Sequence, residues 1–177
     1  KLQRQGRLLP RYRDGDASIP AFLDDHAFLA WGLTDLYEAT GDSGWLKKAI
    51  ELDRVLAKFY EDKKNGGFFM TSSDHEKLLA REKPNYDGAE PSGNSIAILN
   101  LYRLGEFTTD DSYRQRADKA LKAFSQTLNS NPNALTEMLL ALDFRLDKPK
   151  EIVIVTPSGK RSDAEMFLVE FRKQYLP

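Results

Sequence analysis

The feature that most constrains this chain is an internal repeat of about 68 residues. A shift of that length lays one helical hairpin over another without a gap, and the apolar register, the turn and the helix cap all coincide. The equivalent pairs are Leu33 with Leu101, Leu36 with Leu104, Glu38 with Glu106, Thr40 with Thr108, Asp42 with Asp110, Trp45 with Tyr113 and Ala49 with Ala117. A hairpin of this kind cannot bury its apolar face alone. The repeat therefore predicts a mainly α-helical protein whose hairpins stack in a solenoid or a closed ring.

The apolar spacing predicts six helices. Their approximate bounds are 24–40, 43–62, 92–106, 111–128, 132–144 and 162–175. Asp24 or Asp25 is expected to cap the first helix, because short polar side chains satisfy the free amide groups at a helix start. Two and a half hairpins do not close a ring, and the chain starts at Lys1 without a Met. We therefore expect missing N-terminal segments of the same protein to complete it.

Two segments depart from the helical pattern. In the long connection 63–91, the run Phe68–Thr71 is predicted to be a strand, with Leu78–Arg81 as its antiparallel partner in a small β-hairpin. Connections of this length commonly carry function. Near the C-terminus, Ile152–Val155 has the continuous apolar pattern of a buried strand, followed by a turn and a helix. We accordingly divide the chain into a hairpin region, 1–148, and a strand-helix extension, 149–177.

Composition limits the classes of function. The chain has 26 Lys and Arg against 27 Asp and Glu, a net charge of −1, so its charge predicts neither a nucleic acid nor an anionic membrane as partner. It has no cysteine, which leaves no thiolate nucleophile or thiolate metal site and fits a cytoplasmic protein. No histidine pair has the spacing of metal ligands. We expect no metal and no cofactor.

The repeat also predicts where a site would lie. His26 and Asn94 are equivalent positions, each just inside the first helix of its hairpin. If those helices form the inner layer of a ring, their N-termini converge on one mouth, where free amide groups and helix dipoles favour polar or anionic ligands. The connection 63–91 would cover that mouth.

The candidate residues each have a structural alternative. Asp24 and Asp25 could act as acid or base in sugar chemistry, although one of them is expected to cap the helix. His26 and His75 could exchange protons or simply be hydrogen-bonded histidines. The polar segment 81–95 fits a binding loop and also an ordinary helix entry with a Ser cap.

Four motifs resemble one known family. They are Phe22–Phe28 (FLDDHAF), Leu36–Asp42 (LYEATGD), Gly66–Phe69 (GGFF) and Tyr86–Ser95 (YDGAEPSGNS). The chain resembles, over nearly its whole length, the large thioredoxin-domain proteins with a C-terminal six-hairpin toroid that are related to the spermatogenesis-associated thioredoxin-like protein. The resemblance implies a thioredoxin-like domain ahead of an (α/α)6 toroid similar to N-acylglucosamine 2-epimerases and six-hairpin glycosidases. Such toroids bind sugars in the central cavity.

These observations combine into one hypothesis and one alternative. We expect part of an (α/α)6 toroid that binds or processes a carbohydrate, as a carbohydrate epimerase or glycosidase would. The expected catalytic residues are Asp25, Asp87, Glu90 and His26, and the expected substrate-binding residues are Asn94, Ser92, Asp24 and Arg81. The alternative is a non-catalytic scaffold or protein-binding module that serves the thioredoxin-like domain.

Overall fold

The computed structural model describes residues 3–4, 7–16, 20–76, 79–147 and 149–173, and it is mainly helical. The helices are α1 Leu23–Thr40, α2 Ser43–Phe59, α3 Gly93–Thr108, α4 Asp111–Ala123, α5 Ser125–Ser130, α6 Thr136–Leu146 and α7 Glu165–Arg172. Single 3-10 turns lie at Pro132–Ala134 and Arg161–Ala164. Two strands of two residues, β1 Gln3–Arg4 and β2 Arg7–Leu8, pair antiparallel near the N-terminus.

In both predicted hairpins, the first helix ends and the second helix begins with the same local interactions. Asp42 and Asp110 each accept a hydrogen bond from the amide two residues on, at 2.8 and 2.9 Å, and so cap α2 and α4. The residue before each cap, Gly41 or Thr109, has a left-handed φ of 64° or 53°. One residue earlier, a threonine hydroxyl donates to the carbonyl four residues back, at 2.6 Å in both hairpins. These matching details agree with the 68-residue repeat.

Three helices lie side by side and run in the same direction. Asn100 in α3 donates to the carbonyl of Ala27 in α1 at 2.8 Å, and further along Arg103 binds Asp35 at 2.7 Å. On the other side α3 packs against α6, while α2 and α4 pack behind α1 and α3. The result is one layer of parallel helices, α1, α3 and α6, backed by a second layer. This arrangement agrees with stacked hairpins, whereas closure into a toroid stays a prediction.

The core follows from the central place of α3. From Gly93 to Gly105 all but one of its residues are buried. The main apolar cluster includes Leu23 of α1, Leu56 of α2, Ile96 of α3 and Met138 of α6. Among the helices that the structure describes, none is both long and apolar enough to cross a membrane.

The β-hairpin predicted in the long connection is wrong. Phe68 forms a single antiparallel bridge with Glu61. The Met70 amide donates a hydrogen bond to the Glu82 carbonyl at 2.8 Å, and Glu82 lies just outside the predicted partner strand. In the predicted partner Leu78–Arg81, Leu78 lies outside the described residues, and Leu79 is in a bend and fully exposed. The connection is instead held by side chains, as described below.

The buried strand predicted at Ile152–Val155 is also wrong. These residues have no strand pairing, and Val153 and Val155 are exposed. A β-branched run becomes a strand only when another strand supplies hydrogen-bond partners, and no described segment does so. The helix that follows is confirmed in part as α7, although Tyr175 lies outside the described residues. The division between 148 and 149 stays a prediction.

Several helix boundaries differ from expectation. The second helix ends at Phe59 instead of residue 62, and Pro132 lies in a 3-10 turn ahead of the fifth predicted helix, which begins at Thr136. The predicted fourth helix is broken at Phe124, which is buried and leaves helical geometry between α4 and α5. The Phe124 ring packs closely against the long connection, where a Cβ added to Gly67 would be only 3.0 Å from it. At α1 the residue in the N-cap position is Phe22, neither Asp24 nor Asp25.

Candidate functional site

The N-termini of α1, α3 and α6 meet at one end of the layer, which we call the mouth. The Asp87 carboxylate, in the loop before α3, joins two of them. Its Oδ1 accepts from the Ser92 amide and the Ser95 hydroxyl, each at 2.8 Å. Its Oδ2 accepts from the amides of Glu137 at 2.9 Å and Met138 at 3.3 Å, in the first turn of α6. Asp87 is buried, so this predicted catalytic carboxylate faces its own chain and fixes two helix starts together.

Asn94, a predicted substrate-binding residue, is fully buried and holds the long connection. Its Oδ1 accepts from the Phe68 amide at 2.7 Å, and its Nδ2 donates to the Phe68 carbonyl at 2.9 Å and to the Pro84 carbonyl at 3.0 Å. A primary amide can donate two hydrogen bonds. Both donors of Asn94 are therefore used within the chain.

Ser92 and Asp25 are helix-terminal residues in the structure. Ser92 is the N-cap of α3, and its hydroxyl accepts from the Ser95 amide at 3.2 Å. Asp25 lies at the third position of α1, and its Oδ2 accepts from the Phe22 amide at 2.8 Å. This is the reciprocal half of a capping box; the Phe22 side chain has no acceptor for the other half. Both residues satisfy backbone amides that would otherwise lack partners.

Asp24 differs from these residues because part of its carboxylate lacks a partner. Its Oδ1 is buried and has no hydrogen bond of normal geometry among the described residues. Burial raises the pKa of the Asp24 carboxyl above its usual value, the nearby Gly93 amide partly offsets this, and the charges of Asp25 and Glu90 raise the pKa further. Glu90 itself is exposed. The mouth thus contains a carboxyl group that keeps its proton to higher pH than an ordinary aspartate.

His26 lies behind the mouth, fully buried. Its Nδ1 is 2.9 Å from the Phe22 carbonyl, so Nδ1 carries the proton and Nε2 is left as a buried acceptor without a partner. The ring lies 5.2 Å from that of Tyr60, whose hydroxyl donates to the Ala21 carbonyl at 2.6 Å. Burial lowers the pKa of His26, and the nearby Arg7 cation lowers it further, against the Phe22 hydrogen bond and the Asp25 charge, which raise it. His26 is therefore neutral at pH 7.

Arg81 and Lys83 fasten the long connection to the end of α2. Arg81 donates to the carbonyls of Thr71 and Phe59, the second at 3.0 Å, and its guanidinium lies 4.1 Å from the Phe69 ring centre. Lys83 binds the Asp62 carboxylate at 2.6 Å. This ion pair is the largest cause that lowers the pKa of Asp62. Arg81, predicted to bind substrate, thus binds backbone carbonyls in this structure.

Glu137 also lies at the mouth, although it is not among the predicted site residues. This residue lies in the first turn of α6, beside the amides that Asp87 accepts from, and burial followed by the Asp87 charge raises the pKa of its carboxyl. The available signal was an acidic residue shortly after Pro132, the usual composition of a helix start. What could not be read from sequence is that this start lies beside Asp87, 50 residues earlier.

Two concavities lie elsewhere, one at the C-terminal ends of α3 and α6 and the other along α4, α5 and α6. One, of about 200 Å³, includes Tyr102, Arg114 and Phe144; the other, of about 470 Å³, includes Leu121 and Leu142. None of the predicted site residues lines either one. Within the described ranges no three His, Asp or Glu side chains are grouped as metal ligands would be.

The chain is similar to Spermatogenesis-associated protein 20 of three mammals. It is 40% identical to the human protein over 134 residues, 75% of this chain and 17% of the relative. The mouse protein is 40% identical over 145 residues, 81% of this chain and 18% of the relative, and the rat protein 37% over 158 residues, 88% and 20%. The chain thus spans about a fifth of the length of the relatives it matches. No protein-family model matches it.

Proposed function

We propose that this chain is part of a six-hairpin (α/α)6 toroid that binds a carbohydrate at the mouth, within a longer protein that also has a thioredoxin-like domain. The fold part of the proposal rests on the resemblance stated above and on the parallel layer of α1, α3 and α6. The ligand part rests mainly on one observation, the buried Oδ1 of Asp24, which lies beside Gly93 and has no hydrogen bond of normal geometry among the described residues. A sugar hydroxyl is a donor of the kind that this oxygen lacks.

We assign different roles to the residues around the mouth. Asp24 and Glu90 are the carboxylates with capacity to bind a ligand, and burial raises the pKa of the Asp24 carboxyl above its usual value. Asp87, Ser92 and Asn94 position the helix starts and the connection through the hydrogen bonds of their side chains. His26 is fully buried, and its Nε2 has no hydrogen-bond partner among the described residues.

The experiment is a carbohydrate panel screened by thermal shift on the full-length product of the gene. A ligand at one hundred times its dissociation constant stabilises the folded state by about 2.7 kcal/mol, which a melting curve resolves. Asp24→Asn and Glu90→Gln should weaken binding. The matched control is Glu51→Gln, which changes an exposed carboxylate on α2, away from the mouth. The proposal fails if no sugar shifts the melting temperature, or if binding is unchanged in both mouth variants.

The alternative, a non-catalytic scaffold for a thioredoxin-like domain, has one observation in its favour. Most of the candidate polar groups are already bonded within the chain, as Asp87 and Asn94 illustrate. A site evolved for chemistry commonly leaves such groups free to meet a substrate. Recovery of defined protein partners by pull-down, together with no melting response to the sugar panel, would favour the scaffold.

A further inference from the structure

The repeat permits a comparison of one helix face in two environments. The face of α3 that includes Ala97, Asn100 and Leu104 is covered by α1. Leu104 packs in one cluster with Ala30 and Leu33 of α1, and Asn100 donates to an α1 carbonyl. This covered face is the established contact between two successive hairpins.

The equivalent face of α1 has no cover. Subtracting 68 from the three α3 positions gives Leu29, Gly32 and Leu36. Leu29 is 44% exposed and Leu36 is 43% exposed, whereas their counterparts Ala97 and Leu104 are 2% and 0% exposed. A Cβ added to Gly32 would meet no atom within 4 Å. We call Leu29, Gly32 and Leu36 the α1 stripe.

We propose that the α1 stripe is an intramolecular docking surface, and that its occupant is a helix parallel to α1 from a further hairpin of the same polypeptide. The inference rests on the toroid part of the proposed function and names the contact that such a ring needs. Continuity supports it, because the stripe repeats an interface already present in the chain. The human relative, about four and a half times as long as this chain, has ample sequence for another hairpin.

The stripe also predicts the character of the contact. At its centre Gly32 stands where α3 has Asn100, which bonds to the neighbouring helix. Without a side chain at this position, the occupant can approach α1 closely, and the contact is apolar. Gly32 in the middle of a helix is otherwise unfavourable, since glycine is a weak helix former.

Gly32→Leu tests whether a helix covers the α1 stripe, because the change should affect the amide exchange of α1 differently with and without that helix. In residues 1–177 expressed alone, the added side chain enters open space and leucine favours the helix, so the hydrogen exchange of α1 amides should slow or stay unchanged. In the full-length product the same side chain should collide with the docked helix, and α1 amides should exchange at least about tenfold faster. The control Glu51→Leu, on the exposed side of α2, should change neither form.

A second variant covers the case in which full-length Gly32→Leu does not fold. Leu36→Ser should speed α1 exchange in the full-length product and have little effect in residues 1–177, where Leu36 is already half-exposed. Slower or unchanged exchange in both forms would overturn the proposal, because the stripe would then be open to water. Faster exchange in both forms, with residues 1–177 dimeric by light scattering, would also overturn it in favour of a second copy. Neither outcome depends on whether a sugar binds.

Discussion

Asn94→Ala should greatly destabilise the protein, because one amide holds two parts of the long connection. The change removes three hydrogen bonds, to Phe68 N–H, Phe68 C=O and Pro84 C=O. Phe68 is 1% exposed, so water cannot readily replace the two lost there. A buried group left without a partner costs roughly 1–3 kcal/mol, and with two such groups we expect a loss of about 4 kcal/mol in the free energy of unfolding.

The assay is urea unfolding followed by circular dichroism. With a denaturant slope of about 2 kcal/mol per molar, the midpoint should fall by roughly 2 M at an unchanged slope. The matched control is Asn85→Ala in the exposed part of the same connection, which should change stability by less than about 0.5 kcal/mol. A loss below about 1 kcal/mol for Asn94→Ala would refute the reasoning, because the connection would then be held without this amide.

Two further perturbations test other parts of the structure. Because folding lowers the pKa of His26, the unfolded chain takes up this proton first as the pH falls. The free energy of unfolding should therefore decrease below the unfolded pKa of about 6.5, by up to about 1.4 kcal/mol per pH unit. His26→Phe should reduce that slope between pH 6.5 and 5, and an unchanged slope would show that other groups cause it. Gly66→Ala and Gly15→Ala both place a Cβ on a residue with left-handed φ, but only at Gly66 would it meet the Lys119 carbonyl oxygen, at 2.3 Å. By thermal melting Gly66→Ala should lose about 1 to 3 kcal/mol more than Gly15→Ala, and equal losses would argue against the close approach of the connection to α4.

The helices of the repeat could be predicted because their limits depend on local chemistry. Asp42 and Asp110 bond to amides two residues away, so a short stretch of sequence contains both the cap and the helix that it starts. The strand at Ile152–Val155 could not be decided in this way. Its pattern is typical of a strand, but pairing depends on a distant segment, and the sequence pattern does not reveal whether that segment is present.

The position of the site was easier to predict than the roles of its residues. The repeat placed His26 and Asn94 near helix starts at one end, and both lie there. Their bonding depends on segments far away in the chain: Asn94 meets Phe68 26 residues earlier, and Asp87 meets Glu137 50 residues later. A polar cluster has the same composition whether it binds a ligand or its own backbone. Only the three-dimensional partners distinguish the two.

The protonation of Asp24 links the proposed ligand binding at the mouth to pH. It lies in the first turn of α1, where the helix dipole favours the charged carboxylate, yet burial has the larger effect and raises its pKa. A ligand hydroxyl that donates to Oδ1 would stabilise the charged form and lower that pKa again. By linkage, ligand binding would then release a proton near the raised pKa of Asp24 and would tighten as pH rises through it. Asp24→Asn would abolish this dependence even where the amide still bound the ligand, so the pH dependence of affinity separates a functional carboxyl from a merely buried one.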